Sequence, residues 1–460
     1  MYVGLDFGTS NSSIALYQDG EIQLFELDPG SINPRMLRSF IFVNRAHYHY
    51  TGTEAVRQYQ TLETGRPVYW ETRHMGEIQM VVGGGGSGPI IYWDDLFVQV
   101  DTAAEGRLIQ SIKTALRNPA YEGTEVMGKY YTVEELIAIL LRDLRAKCVQ
   151  ATGTGSFDLR PGVAAQDEPT GVVLGRPVKF SDEQTTDARA QAKIEAAARL
   201  AGFEDVHFEY EPIAAAYVLH LQTAERQPIL VFDFGGGTLD MTIMEIGGNE
   251  TPHVLSTLGV LLGGDDLDRT IMQPLKRFFG EGATMRNRTP LPAHLMGILD
   301  SWQTMVLLSR PEYKTILRDA RRGSDPDAIQ RLETLVNKNL GFSLFQEIEK
   351  AKIKLSSEAT AWIQMETEGL HLKDLITRPQ FERLIAPYVE QVDAALDETL
   401  SLSGLRTAQI QAILRTGGSS EIPAFIRLLG EKFGHDRLRK LSPFETIVGG
   451  LAIKAEEVSR

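Results

Sequence analysis

A single cysteine, Cys148, is all that the 460 residues contain. No internal disulfide can form, and such a chain suits a reducing compartment. Long hydrophobic runs are missing too. The most apolar stretch, Leu136 to Leu141, falls far short of the roughly 20 residues that span a bilayer. Positive charge is in deficit, with 47 Lys and Arg against 61 Asp and Glu and a formal net charge of −14. That balance argues against a dedicated nucleic-acid binder, whose affinity rests on a surplus of cations over phosphate. The opening residues, Met1-Tyr2-Val3-Gly4-Leu5-Asp6, lack a basic segment and meet an acid early, so they do not read as a signal peptide. The expectation is a cytoplasmic protein with neither a membrane nor a nucleic acid as partner.

What is present is ordinary globular material. An apolar share of 43% and a charged share of 23% can build several cores, and the length suits about three compact units or two large lobes. Tyr2 to Phe7 reads as a strand, Gly8-Thr9-Ser10-Asn11 as a turn, and Ser12 to Tyr17 as a second strand. The same device returns downstream, with Ile229 to Phe234, then Gly235-Gly236-Gly237, then Thr238 to Ile246. Both copies contain Asp-Phe-Gly, which suggests an internal duplication and two related lobes. Helices are expected over Thr132–Val149, over Asp187–Leu200 with Gly202 as stop, and from Pro212 through Ala214-Ala215-Ala216. Residues 290–355 read as almost continuously helical, broken at Gly323-Ser324-Asp325-Pro326 and at Gly341, and a further helix is expected over Ile422–Phe433.

The paired turns have a chemical use. Glycine lets backbone N–H groups approach a phosphate without a Cβ in the way. An Asp at the strand end can hold a hydrated Mg²⁺ that bridges phosphate oxygens. Two such hairpins facing each other would close a cleft around phosphates, and Thr416-Gly417-Gly418-Ser419 adds a third glycine turn. Other features carry less. Gly83-Gly84-Gly85-Gly86-Ser87-Gly88-Pro89 lacks the Gly-Lys-Ser/Thr ending of a P-loop and reads as a surface loop or hairpin tip. His47 and His49 have no matching ligand set and read as a surface strand. Arg318, Arg321 and Arg322 read as a solvated helix face. Cys148 has no acid–base partner in its helix and is assigned no catalysis.

Taken in order, the motifs resemble the nucleotide-binding half of the 70-kilodalton heat-shock chaperones, within the actin and sugar-kinase ATPase superfamily. Gly4-Leu5-Asp6-Phe7-Gly8-Thr9-Ser10-Asn11 is similar to the first phosphate motif, and Asp233-Phe234-Gly235-Gly236-Gly237-Thr238-Leu239-Asp240 to the second. Tyr210-Glu211-Pro212-Ile213-Ala214-Ala215-Ala216 resembles the first connecting helix. Leu262-Gly263-Gly264-Asp265-Asp266-Leu267-Asp268 resembles the turn after the second lobe's first sheet strands. Glu349-Lys350-Ala351-Lys352-Ile353-Lys354-Leu355-Ser356 resembles the adenosine-contacting helix, and Thr416 to Pro423 the adenosine motif. Ser442-Pro443-Phe444-Glu445 with Gly449-Gly450 resembles the second connecting helix.

The fold implied is α/β, the two-lobed actin-like ATPase fold, with duplicated ribonuclease-H-like mixed sheets flanked by helices and smaller inserted subdomains. Lobe I is expected over 1–226 with a small subdomain at about 39–117. Lobe II is expected over 227–436 with a small, mostly helical subdomain at about 269–372, and residues 437–460 return into lobe I. The implied cofactors are ATP or ADP with Mg²⁺, held through water by Asp6 and Asp233. Gly8, Thr9, Ser10, Asn11, Gly235, Gly236, Gly237 and Thr238 would contact phosphates. Gly264, Glu349, Lys352, Ser356, Gly417, Gly418 and Ser419 would contact the nucleoside. Lys113 would be the catalytic lysine, stabilising the transferring phosphoryl group beside Asp233 and Thr238, and Glu211 would orient water or metal. Pro177 resembles the switch proline.

Three departures qualify the resemblance. Ile353 and Glu421 stand where the chaperones place two arginines against the adenine ring, and each lost guanidinium costs about 0.5–2 kcal/mol. Phe444 stands where the family has an acid. The chain runs ten residues past Gly450, too few for the chaperones' peptide-binding half, so a peptide-release cycle is not expected of this chain alone. The leading expectation is a slow chaperone-like ATPase whose lobes close as a switch, with a protein partner or client that the sequence does not name. The rivals are a nucleotide-sensing scaffold, a small-molecule kinase and an actin-like filament former.

Overall fold

The computed structural model describes residues 1–31, 33–82, 90–151, 168–181, 183–440 and 446–460. The glycine run at 83–89 and the Ser442 to Glu445 stretch with Phe444 lie outside them.

Two sheets organise the chain, and they share one plan. The first runs, in spatial order, through the strands Asp205–Tyr210, Gly171–Arg176, Tyr2–Phe7, Asn11–Gln18 and Glu21–Leu24, with the short strand Leu37–Arg38 added beside Asn11–Gln18. The second runs Leu438–Lys440, Ala412–Thr416, Gln227–Phe234, Leu239–Ile246 and His253–Val260. In each, the first three strands in sequence form an antiparallel meander, and the fourth and fifth add in parallel on the other side. The duplication expected from two Asp-Phe-Gly turns is therefore a duplication of topology, and the molecule has two lobes.

Both faces of each central strand are covered, so Tyr2–Phe7 and Gln227–Phe234 read as nearly continuous apolar runs. On one face of the first sheet, Val3, Leu5, Phe7 and Ile14 pack against the helices Val133–Ala151 and Gln184–Leu200 through Leu136, Leu140, Leu144 and Ile194. In the second lobe, Phe232, Phe234 and Met241 pack against Gly264–Leu275, Arg378–Ser403 and Pro423–Phe433 through Leu267, Leu396 and Phe425.

The remaining faces look toward each other across two helices, Glu211–Gln222 and Thr446–Ser459. Their shared core joins Val173 from one sheet, Val231 and Leu414 from the other, and Ala215, Leu451 and Ala455 from the helices. Small residues let the backbones touch. A side chain on Gly450 would collide with the carbonyl of Ala214, and one on Gly4 with the backbone of Leu451 and Ala452.

Two smaller units project from the lobes. One is the three-stranded sheet of Phe40–Asn44, His49–Thr51 and Gly106–Gln110 with the helix Gly52–Glu63. The other is a helical stretch from Ala293 to Ser357. The helices expected over 290–355 form, with breaks where Asp325 caps the helix starting at Pro326 and where Gly341 begins the helix Gly341–Ser357. The extension of that helical reading to about 370 does not hold. After Ser357 comes a hairpin, Thr360–Thr367 with Leu370–Thr377, in which Ala361, Ile363, Leu370 and Leu372 alternate inward.

Candidate functional site

The two glycine turns meet. In the first, Ser39 donates from its hydroxyl to the Gly8 carbonyl at 2.9 Å and from its backbone to the Ser10 carbonyl at 2.8 Å. In the second, the Gly235 N–H closes the turn onto the Thr238 carbonyl at 2.9 Å. A Cβ on Gly236 would collide with the Ser10 hydroxyl, and one on Gly237 would come within 2.9 Å of the Thr9 methyl. The hairpin tips thus face each other across the lobes with no room for side chains.

Carboxylates converge behind the tips. Asp6 and Asp233 end equivalent strands, and Asp240 lies directly across from Asp233 on the neighbouring strand. Facing acids on paired strands repel. Burial pushes the Asp6 carboxyl up to about 7, helped by the Glu211 charge and opposed by Lys113. Burial, with Glu211 adding to it, pushes Asp240 up to about 6, while Arg117 and the Thr238 hydroxyl at 3.1 Å pull the other way. Asp233 is raised well above the carboxylate range by burial and then by Glu211, Asp240 and Asp6.

Lys113 lies among these acids. It sits on the short 3₁₀ helix Ile112–Arg117, which is anchored by buried Ile112 and Leu116 and entered through Ser111 in the left-handed region at φ 56°. Its ammonium donates to Glu211 Oε1 at 2.7 Å. Burial alone would lower the pKa of Lys113, but Glu211, Asp6 and Asp240 outweigh it and the net shift is upward. Glu211 opens its helix with Pro212 in the first turn, where an acid is favoured by the helix dipole. Pro177 lines the same small space with Glu211, Asp233 and Asp240. Its loop is held by Arg176, which donates to the Pro177 carbonyl at 3.0 Å and to both oxygens of Asp187 at 2.9 and 3.0 Å.

A second cluster surrounds Gly264. Lys352 donates to the Gly264 carbonyl at 2.9 Å and to Asp268 Oδ2 at 2.8 Å, and Ser419 donates to the Gly235 carbonyl at 3.1 Å. Burial raises the Asp268 carboxyl to about 7 against the pull of Lys352, and its Oδ1 has no hydrogen-bond partner among the described residues. Gly417 takes φ 77° in a turn where a Cβ would strike the Phe234 carbonyl. Gly418 starts the short helix Gly418–Glu421. On the helix Gly341–Ser357, Glu349 pairs with Arg38 at 3.0 Å and Ser356, half-buried, lies one turn beyond Lys352. Ile353 is 50% exposed. Glu421 is held at 3.3 Å by Arg415 and at 2.7 Å by Lys440.

An open space of about 220 Å³ lies above the first hairpin, bounded by Asn11, Arg38, Asp268, Phe342 and Glu349 among others. Among the described residues no three His, Cys, Asp or Glu side chains come close enough to cage a metal. A water-held Mg²⁺ needs only one or two carboxylates. The Asp6, Asp233 and Asp240 set, destabilised by its own charge, fits such a cation. Also among the described residues, no helix is long and apolar enough to cross a membrane.

Sequence reasoning gave Asp240 no role although it closes the second motif; its place opposite Asp233 in a hairpin of fixed register was the available signal. Asp268, Arg38 and Arg415 carried none. Of the features set aside, His47 and His49 share the Tyr131 hydroxyl at 3.3 and 3.2 Å, and burial pushes the Cys148 thiol up to about 12.

Paired sheets with facing glycine turns, crossed by two helices and backed by buried acids around a lysine, define a two-lobed nucleotide-binding protein of the actin-like ATPase kind. Comparison with known proteins names the family. The family model described as Hsp70 protein matches residues 2–288 and 329–459, and the chain belongs to the Hsp70 family of ATP-binding chaperone proteins. Chaperone protein DnaK of Thermus thermophilus is 27% identical over 470 residues, covering 98% of this chain and 60% of its own length. Chaperone protein dnaK1 of Synechocystis sp. is 27% identical over 464 residues, covering 98% and 54%. Chaperone protein dnaK of Cyanidioschyzon merolae is 26% identical over 464 residues, covering 98% and 61%. This chain thus spans 54–61% of the length of these relatives.

Proposed function

We propose that the chain is a slow Mg²⁺-dependent ATPase in which nucleotide-driven lobe closure serves a chaperone-like or regulatory switch. The observation that carries this reading is the largely buried Lys113–Glu211 pair at 2.7 Å, each side chain 12% exposed, set among Asp6, Asp233 and Asp240 where the two hairpins meet. In this reading Gly8 to Asn11 and Gly235 to Thr238 bind phosphates through backbone N–H groups and hydroxyls. Lys113 stabilises charge on the transferring phosphoryl group, Asp233 and Thr238 flank it, and Glu211, fixed by Lys113, orients the attacking water. Asp6 and Asp233 hold Mg²⁺ through water. When bound, the ion neutralises phosphate charge.

Gly264, Glu349, Lys352, Ser356, Gly417, Gly418 and Ser419 take the nucleoside. Ile353 offers the base an apolar contact in place of a cation, and Glu421 is already engaged by Arg415 and Lys440. Adenine selectivity is accordingly reduced. The lobes divide as 1–226 and 227–436, with 437–460 returning to the first. A protein client or partner acts on the switch, in the reducing cytoplasm where Cys148 stays a thiol.

Steady-state phosphate release from the purified chain, with Asp6→Asn and Asp233→Asn controls, tests the activity. Release that survives both substitutions sinks it. Calorimetry with ATP, ADP and GTP tests the base, and tight, strictly adenine-selective binding would refute reduced selectivity. Ile353 and Glu421 favour a second reading, a nucleotide-sensing scaffold, which binds nucleotide without releasing phosphate. A small-molecule kinase would turn over only with an added acceptor.

A further inference from the structure

One face of the helical unit in the second lobe carries cations that the fold leaves unused. On the helix Pro311–Ala320, Leu317 and Ala320 are buried, while Lys314 and Arg318, one turn apart, are exposed. The chain stays helical through Arg321 at φ −59°, and Arg322 follows, exposed again. A second segment joins this face. Met285 to Thr289 form a tight turn, closed where the Met285 N–H donates to the Thr289 carbonyl at 2.8 Å, and Arg286 and Arg288 stand exposed on it. The base of the turn is tied to the end of the helix. The Ser324 N–H donates to the Thr284 carbonyl at 3.1 Å, and the Thr284 N–H to the Ser324 hydroxyl at 2.9 Å.

Among the described residues, none of these five cations makes a side-chain hydrogen bond or an ion pair, although Glu312 and Asp319 share the helix. Arg321 shows the contrast, since it donates to Gln330 at 2.7 Å and lies 3.8 Å from Glu333. The solvated face expected of Arg318, Arg321 and Arg322 thus holds for two of them. Like charges one turn apart weaken a helix. The helix dipole favours cations only near the last turn. It accounts for Arg318 and Arg322, but not for Lys314, nor for Arg286 and Arg288 on a separate segment. In a chain of net charge −14, the face is a local reversal of sign. Lys314, Arg318 and Arg322 also fall between 288 and 329, the stretch that the Hsp70 family model leaves unmatched.

We propose that this face docks an extended, acidic segment of a partner protein. Residues one helical turn apart are separated by about 6 Å along the axis. Alternate residues of an extended strand are about 6.6 Å apart. Acids at every second position therefore meet Lys314, Arg318 and Arg322 in step, and Arg286 and Arg288 add charge beside the end of the row. Nucleic acid fits less well. Single strands bind on aromatic platforms, and the one aromatic of this helix, Tyr313, is half-buried with its ring 6.2 Å from that of His294.

Fluorescence anisotropy on the ligand-free protein tests the proposal, and it needs no nucleotide, so it stands apart from the ATPase reading. The probe is a labelled peptide of about ten residues that alternates glutamate with serine. It should bind, and Arg318→Gln combined with Arg322→Gln should weaken it about tenfold, which corresponds to about 1.4 kcal/mol. Raising sodium chloride from about 50 mM to about 300 mM should weaken it by a similar factor, since these charges are exposed. Arg318→Lys with Arg322→Lys should keep the affinity within about threefold, which separates loss of charge from loss of fold. Arg383→Gln, at an exposed arginine on the helix Arg378–Ser403, should change nothing. Unchanged affinity in the double glutamine variant overturns the proposal. So does equal affinity for a peptide of the same composition with its glutamates in one block, or tighter binding of an oligothymidylate of equal charge.

Discussion

The two glycine-turn hairpins share topology, register and an Asp-Phe-Gly turn, yet differ in charge. Opposite Asp6 in the first stands Ser13; opposite Asp233 in the second stands Asp240. Ser13 is 2% exposed and neutral, so the first hairpin folds without internal repulsion. The second buries two acids face to face. A strand pair designed for stability alone would not do so. The difference teaches that the duplicated backbone supplies the same tight turn twice, while the facing pair of acids is confined to the second hairpin, where a bound cation would relieve it.

The largest expected effect tests what the hairpins share. Asp6→Asn and Asp233→Asn should each lower phosphate release by about 100-fold or more, since each removes an electrostatic element of the site; a loss in only one variant would break the equivalence. Next, Ser13→Asp would give the first hairpin the second's burden. An unpaired buried acid should destabilise the ligand-free protein by about 3 kcal/mol or more, read by denaturant unfolding. A smaller change is expected from the reverse experiment. Asp240→Asn removes one facing charge and should stabilise the ligand-free protein by up to about 1 kcal/mol at neutral pH.

pH sharpens the contrast. Asp6 and Asp240 titrate at about 7 and about 6 in the folded chain, above the ordinary carboxylate value near 4. Between those values the folded state binds more protons than the unfolded one, so metal-free stability should fall as pH rises from about 4 to about 7. Asp240→Asn should flatten that slope, and an unchanged slope would show that the second acid is not the source.

Much of the hairpin geometry was legible because tight backbone turns leave local signatures. Glycines that admit no Cβ, acids at strand ends and Pro212 opening a helix all fall within short words of sequence. The helices over 290–355 were legible from periodicity. The Thr360–Thr377 hairpin was missed, although its alternation of Ala361 and Ile363 with exposed neighbours has period two, because the helical pattern before it dominated the reading. Interactions between distant segments were not legible. Nothing adjacent to Phe342 or Trp302 in the chain indicates Tyr59 as a neighbour, and nothing near Glu421 indicates that Arg415 and Lys440 hold it. Lys113 was singled out through the resemblance, but its pairing with Glu211 was not, since that depends on Ser111 at φ 56° and on a helix begun 98 residues later.

The crossing of Glu211–Gln222 with Thr446–Ser459 bears on how the molecule is made. The helix Thr446–Ser459, which covers one face of the strand Tyr2–Phe7, follows it in the chain by some 440 residues. The first sheet therefore emerges from the ribosome with an apolar face bare until some 440 residues have followed it. Contacts of such sequence separation close slowly and leave nascent chains prone to aggregate.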